Sequence, residues 1–292
     1  MDEPGEIGGP VRLAKLIARR GLTSRRSAEA WIAEGRVVVN GVVADGSVPV
    51  DPRQDEVRVD GRPLPPPPPQ IVFALYKPRG VITSRDDPDG RKSVFDMLEG
   101  IGTRVEAVGR LDFDTEGLLL LTNDGELAHA LTHPTRKVPK RYLAKVYRTP
   151  DARDLQTIER GVMLEDGRTQ PAKARVVETT DTENAWVEIT VTEGRNRLIR
   201  RMMGALGHPV SKLRRESFGT ISLRGMERGQ LRQLTGPEVQ RLRDVANGKA
   251  PSSAGRKRKA GFARPKPKAV KPLHRKSHSR STPIRAPINS TR

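Results

Sequence analysis

The 292-residue chain contains no cysteine, which excludes disulfides and thiolate metal sites. Its five histidines are scattered and form no HExxH pair. Gly100-Ile101-Gly102 lacks the third glycine of a dinucleotide fingerprint, and no GxxxxGK[ST] loop is present, so neither a metal nor a cofactor is expected. Aromatic residues make up 3% of the chain and hydrophobic residues 35%. That is little for one continuous globule, and part of the chain is expected to stay unfolded. No apolar run reaches the length that crosses a bilayer, and no secretory leader opens the sequence, so the expected location is the cytoplasm. The Asn289-Ser290-Thr291 glycosylation pattern carries no weight without such a leader.

Acidic residues are also in short supply. Against 54 Lys and Arg stand 35 Asp and Glu, a formal net charge of +19. Residues 247–292 hold 14 of the basic residues and none of the acidic ones, so 40 basic and 35 acidic residues precede them, a net of +5. The tail therefore sets most of the pI. A polyanion is the natural partner of such a chain, and the tail would bind one through counterion release.

Five segments follow from composition. Residues 1–9 are expected to be disordered. A small basic module occupies 10–64. Pro65 to Pro69 form an uninterrupted run that favours an extended polyproline II spacer, giving a linker over 65–70. An α+β body spans 71–246, and a Lys/Arg/Pro/Ser tail over 247–292 has too little apolar surface to fold alone. In the module, VRLAKLIARRGL carries apolar residues at helical spacing and stops on Gly21. Ser24 is a candidate cap for a second helix ending at Gly35. VVVNGVV then places β-branched residues on both sides of Asn40-Gly41, a hairpin signal. In the body, IVFALYK, Gly117–Thr122, RYLAKVY and AWVEITVTEG read as strands. ELAHAL and NRLIRRMMGALG read as helices, and SVFDMLEG as a short one.

The stretch VGRLDFDTEGLLLLTNDGEL crowds carboxylates around a leucine run. Asp114 and Glu116 are expected to be solvated turn carboxylates, and Asn123-Asp124 a turn and helix cap. Asp112 sits between Arg110 and Phe113, ahead of a buried strand. A carboxylate there needs a partner, because burying an unpaired charge is costly. Spacing alone favours a structural ion pair.

Two resemblances sharpen this. Arg12-Leu13, Lys15, Ser24-Arg25-Arg26, Ile32, Gly35 and Val37-Val38-Val39-Asn40-Gly41 resemble the S4-like (alpha-L) RNA-binding fold of a small-subunit ribosomal protein. That implies RNA contact through Arg12, Lys15, Ser24, Arg25 and Arg26, and a helix N-terminus already attracts phosphate. Lys77-Pro78-Arg79-Gly80-Val81, then Gly109 through Gly125, then Lys140-Arg141-Tyr142, then Glu193 through Met202, resemble in order the motifs of the RsuA/RluB/RluE/RluF pseudouridine synthases. This similarity covers essentially the whole body. It implies that Asp112 is the catalytic aspartate and that Arg110 lies near the flipped nucleotide. Tyr142 would stack on the target base, and Arg200 would pair with the aspartate. Lys140, Arg195 and Arg197, basic residues within these motifs, are expected to contact RNA. Leu198 departs from the family, which usually has Gln or His there, so no polar role is expected at that position.

The resemblance implies a ribosomal RNA pseudouridine synthase with an RluB-like large-subunit target preferred over an RsuA-like small-subunit one. It is expected to be a monomer whose partner is ribosomal RNA or a pre-ribosomal particle. A non-catalytic assembly factor and a DNA-binding regulator are the competing classes.

Overall fold

A computed structural model of the protein describes residues 9–46, 48–180 and 183–249. The expectations for the lead and the tail lie outside the described residues, apart from their inner edges.

In the first module, α1 (Leu13–Arg19) and α2 (Arg25–Ala33) pack on a four-stranded sheet. Its strands are β1 (Val37–Val39), β2 (Val42–Val43), β3 (Val57–Val59) and β4 (Arg62–Pro63), in the order β2-β1-β3-β4. The helical spacing turns Leu13, Leu16 and Ile17 inward against Ala28, Ile32, Val37 and Val57. The Ser24 hydroxyl accepts the backbone N–H of Ser27 and so starts α2. Asn40 and Gly41 both take positive φ, 50° and 82°, as a tight hairpin with right-handed strand twist requires. Residues 65–70 form no helix or strand, and Arg20 donates to the Pro65 carbonyl at 2.9 Å.

The body is built on a nine-stranded sheet. Its longer strands are β5 (Val72–Lys77), β6 (Thr115–Thr122), β7 (Lys140–Val146), β8 (Lys173–Thr179), β9 (Ala185–Val191), β10 (Val210–Phe218) and the shorter β11 (Leu231–Gln233). They lie in the order β8-β9-β7-β10-β6-β5-β11. Neighbours along this path are antiparallel except β10 and β6, which run parallel at the centre. The body's helices of eight residues or more are α3 (Gly125–Thr132), α4 (Ala152–Arg160), α5 (Leu198–Ala205) and α6 (Gly236–Ala246).

The β5–β6 half is covered on both faces. Leu118 and Leu120 face α3 and α6 through Leu127, Leu131 and Leu242. Leu119 and Leu121 face Val81, Val94, Val105 and Leu111 of the segment joining β5 to β6. Burial on both sides explains an unbroken leucine run in a strand, despite the helical leaning of leucine. The β7–β9 half is covered on one face, where α4 and α5 place Ile158, Ile199, Met202 and Met203 over Ala144, Val187 and Ile189. Tyr142 packs against both this cluster and the Leu119 cluster. A cleft therefore opens on that face, between α5 and the β5–β6 connection, over the parallel pair.

Gly117 makes that pair possible. It adopts φ +124°, and a Cβ there would fall among the backbone atoms of Arg215. Gly117→Ala is expected to lower stability by about 3 kcal/mol through overpacking and strain. Urea unfolding of the two proteins measures this, and an unchanged midpoint would contradict it.

Candidate active site

The cleft holds about 260 Å³, the scale of a single nucleoside. Arg110, Asp112, Lys140, Tyr142, Arg197 and Arg215 are among its lining residues. Asp112 is carried on the turn that enters β6. The backbone carbonyls of this turn are held one after another. Thr83 Oγ1 donates to Leu111 at 2.8 Å, and Gly80 N–H to Phe113 at 2.8 Å. Arg200 Nη2 donates to the Asp114 carbonyl at 3.3 Å. Lys77, wholly buried, reaches the Asp112 carbonyl at 3.1 Å and the Thr115 carbonyl at 2.9 Å. Burial lowers the Lys77 ammonium to about 8, opposed by the nearby carboxylates of Asp112 and Asp114.

The carboxylates differ from the sequence expectation. Asp114 lies on the turn as expected but is paired, and Glu116 is not a turn group at all. Asp114 pairs with Arg200 at 3.0 Å and with Arg197 at 3.4 Å. Burial works to raise its carboxyl, but Arg200 and then Arg197 override this and hold it below the usual value. Glu116 lies within β6 and pairs with Arg228 at 3.1 Å. The ion pair expected between Arg200 and Asp112 is also corrected. Arg197 is the guanidinium beside Asp112, at 3.7 Å. Arg200 sits lower, donating to the Val210 carbonyl at 2.8 Å and bridging to Asp114. Its helix position turns it under the Asp112 turn, whereas Arg197 precedes α5 with φ 46° and reaches over the cleft.

The expected RNA-contacting residues divide. Arg12, Arg25 and Arg26 are exposed, and so are Arg110 and Arg197 at the cleft. The others are engaged inside the protein. Ser24 caps α2. Lys15 lies 3.8 Å from Glu126 of α3, which also pairs with Arg19; burial, then Arg19, lowers its ammonium. Arg195 braces the short hairpin Met163–Arg168, with contacts to Glu193 at 2.8 Å, Asp166 at 3.1 Å and the Gly167 carbonyl at 2.9 Å. Lys140 is buried on the cleft floor, donating to the Val138 carbonyl at 3.1 Å. Leu198 is buried in the α5 core and lines the cleft, in keeping with an apolar role.

Sequence reading did not single out Lys77, Arg197 as the partner of Asp112, or Arg215. Lys77 had a signal, as the last residue of an otherwise apolar strand. Arg215 follows Leu213 at the strand period of two, and so shares its inward face.

Chemically, the arrangement offers a fixed carboxylate, a guanidinium beside it and an aromatic wall. Among the described residues no cluster of His, Asp or Glu could hold a metal ion.

Comparison with known proteins gives the family. A family model described as RNA pseudouridylate synthase matches residues 71–205, and an S4 domain model matches residues 11–57. Ribosomal large subunit pseudouridine synthase B of Bacillus subtilis (strain 168) is 47% identical over 238 residues, spanning 81% of this chain and 97% of that protein. The protein of the same name from Yersinia pestis is 42% identical over 248 residues, spanning 80% and 76%. A solved pseudouridylate synthase superimposes with a TM-score of 0.58 at 31% identity, covering 80% of this chain and 99% of its own.

The buried lysine on the floor gives a pH test. Burial, then Arg215, lowers Lys140 to about 8. The unfolded chain therefore binds more protons than the folded one above pH 8, and the contribution of Lys140 to stability rises with pH. The wild-type unfolding free energy minus that of Lys140→Met should climb between about pH 8 and 10.5, by at most about 1.4 kcal/mol per pH unit. A flat or falling difference would refute this.

Proposed function

The chain belongs to the RNA pseudouridylate synthases that carry an S4 domain, and from that membership we propose that it isomerises one uridine in a stem-loop of 23S ribosomal RNA to pseudouridine, acting in the cytoplasm. The observation that carries the reading is the meeting of Asp112, Arg110 and Tyr142 in one cleft, with Arg197 beside the carboxylate. Relatives named as large-subunit enzymes favour 23S over 16S ribosomal RNA as the target.

The reaction breaks a C–N glycosidic bond and rejoins the same uracil through carbon, so no atom enters or leaves. The target nucleotide must first leave its stack, at a cost of a few kcal/mol in a duplex and less in a loop. Tyr142, on the wall of the cleft, offsets part of that by stacking on the base, worth about 1–3 kcal/mol. Arg110, exposed at the cleft, takes the backbone phosphate of the everted nucleotide. Asp112 acts on the sugar or the base. Either it removes a sugar proton as uracil departs, leaving a glycal, or it forms a covalent adduct. Arg197 is the cation that faces it, and Arg200 serves as a positioning residue through Asp114. A factor that kept the fold and lost the chemistry would have no need of this constellation.

The S4 module supplies affinity. Arg25 and Arg26 are exposed at the N-terminus of α2, where free N–H groups and two guanidinium groups suit a phosphate.

Asp112→Asn is expected to abolish pseudouridine formation while RNA affinity stays within about threefold, because the carboxylate acts on the reacting nucleotide and not on the rest of the RNA. Mass spectrometry of reacted rRNA measures the product, and a normal yield from the variant would refute the assignment. The double change Arg25→Ala, Arg26→Ala should weaken binding to rRNA and reduce the salt dependence of log K by about 2, with the target uridine unchanged. An unaltered salt slope would remove these arginines from the interface.

A further inference from the structure

Two cations on the cleft floor have no place in the roles given above. Arg215, on β10, is 2% exposed; its Nε donates to the Leu118 carbonyl at 2.7 Å, and its Nη2 is buried with no hydrogen-bond partner. Lys140, on β7, is 7% exposed, with carbonyl contacts to Val138 at 3.1 Å and Thr192 at 3.5 Å. Both stand over the ring of Phe218, at 5.0 and 5.1 Å. Neither has a carboxylate within ion-pair distance among the described residues. Of the other basic groups around the cleft, Arg110 is exposed to solvent, whereas Arg200 has Asp114, Arg197 has Asp112 and Asp114, and Arg195 has Glu193 and Asp166. A buried charge without a counter-charge is costly, and two of them on one ring, repelling each other, are more so. The cleft floor is therefore short of one anion.

The surroundings say which anion. Tyr142 lies two residues along β7 from Lys140 and pairs across the ladder with Arg215. Leu213, Val191 and Phe218 complete the apolar lining. A phosphodiester brought there would lose its water to apolar walls, whereas the exposed Arg110 can meet it with that water kept. A uracil ring suits the floor better, because its faces are apolar and its edge carries O2 and O4. On the reading that this chain is a pseudouridine synthase, we infer that Arg215 and Lys140 form a subsite for the oxygen-bearing edge of the target uracil and hold the negative charge of the detached base.

The charge arises from the reaction itself. When the C1′–N1 bond breaks, its electron pair goes to the base, and the charge spreads over N1, O2 and O4. C1′ becomes electron-deficient and is met by Asp112, as an adduct or by loss of the C2′ proton. The base then turns about its N3–C6 axis, C5 bonds to C1′, the C5 proton is lost and N1 gains one. Any proton taken from C2′ is returned, so the composition is unchanged. The turn exchanges O2 with O4, so a pair of cations that holds both oxygens meets the same pattern before and after it. Preformed charge at the point where charge develops lowers the barrier more than it tightens ground-state binding.

The test uses the full chain, unmodified 23S rRNA transcript and single-turnover conditions at saturating enzyme. Arg215→Met should slow pseudouridine formation about 100-fold, in the range seen when one donor to a developing anion is removed. RNA affinity, by filter binding, should stay within about threefold. In transcript made with 5-fluorouridine the base is the better leaving group but C5 carries no proton to lose, so no pseudouridine forms. The readout there is the rate at which the target nucleotide is consumed, and that rate defect should shrink to about tenfold or less. Lys140→Met should show the same pattern with a smaller loss, and it carries the test together with Arg215→Lys if Arg215→Met does not fold. Weakened RNA binding with an unchanged saturated rate would make this a phosphate site and overturn the proposal. So would equal defects on both transcripts, the mark of a structural role. Wild-type protein that forms no pseudouridine would instead sink the parent reading, while active wild type with unimpaired variants would sink this inference alone.

Discussion

The buried ammonium of Lys77 is the contact on which the cleft depends. It reaches out of the end of β5 to two carbonyls of the turn that carries Asp112. Gly80 and Thr83, a few residues further on, hold the carbonyls between and before them. A turn fixed at successive carbonyls has little freedom, so the Asp112 side chain projects in one direction. Catalytic precision of this kind comes from backbone held by neighbouring elements and not from the acid alone. The desolvated lysine is the energetic weak point of the arrangement, and its three carbonyl partners and the nearby carboxylates keep it in place.

Charge around the cleft is graded with depth. At the mouth, Arg110 is exposed. Also exposed, Arg197 is tied to Asp112 and Asp114, and the more buried Arg200 to Asp114. On the floor, Arg215 and Lys140 have no acid within ion-pair distance among the described residues. Such a gradient draws a polyanion to the rim and gives a buried ligand a different chemistry from the one that steered it in. Several basic residues that look alike in the sequence therefore do different work. Arg195 pins a hairpin, Lys15 and Arg19 face Glu126 of α3, and Arg25 and Arg26 are exposed.

Much of the fold was legible because its signals are local. Asn40-Gly41 enforces a hairpin by backbone conformation, Ser24 and Asp124 cap their helices, and alternation marks β9. Helices α4 and α6 also begin on local signals, the capping boxes at Asp151 with Asp154 and at Thr235 with Glu238. Ordered motifs sufficed to bring Asp112, Tyr142 and Arg110 to one place. Pairing among charges was not legible. Whether Arg197 or Arg200 faces Asp112 depends on the phase of α5 against the turn, and a shift of one residue moves a helical side chain by about 100°. Glu116 read as a turn residue because β6 begins at Thr115, earlier than the apolar run suggests, and the ion pairs of Asp114 come from α5 and the residue before it, far along the chain. The burial of Arg215 depends on β10 lying against β6, a pairing between strands far apart in the chain.

That parallel pairing joins Thr115 to Leu213 across a loop on the order of a hundred residues, a closure that local structure cannot assist. A growing polypeptide carries β5, β6, β7 and α5 before it carries Leu213, Arg215 and Phe218 of the cleft floor. The site is thus incomplete until nearly all of the body has been translated. Its competence arrives with a late strand sliding in beside an early one.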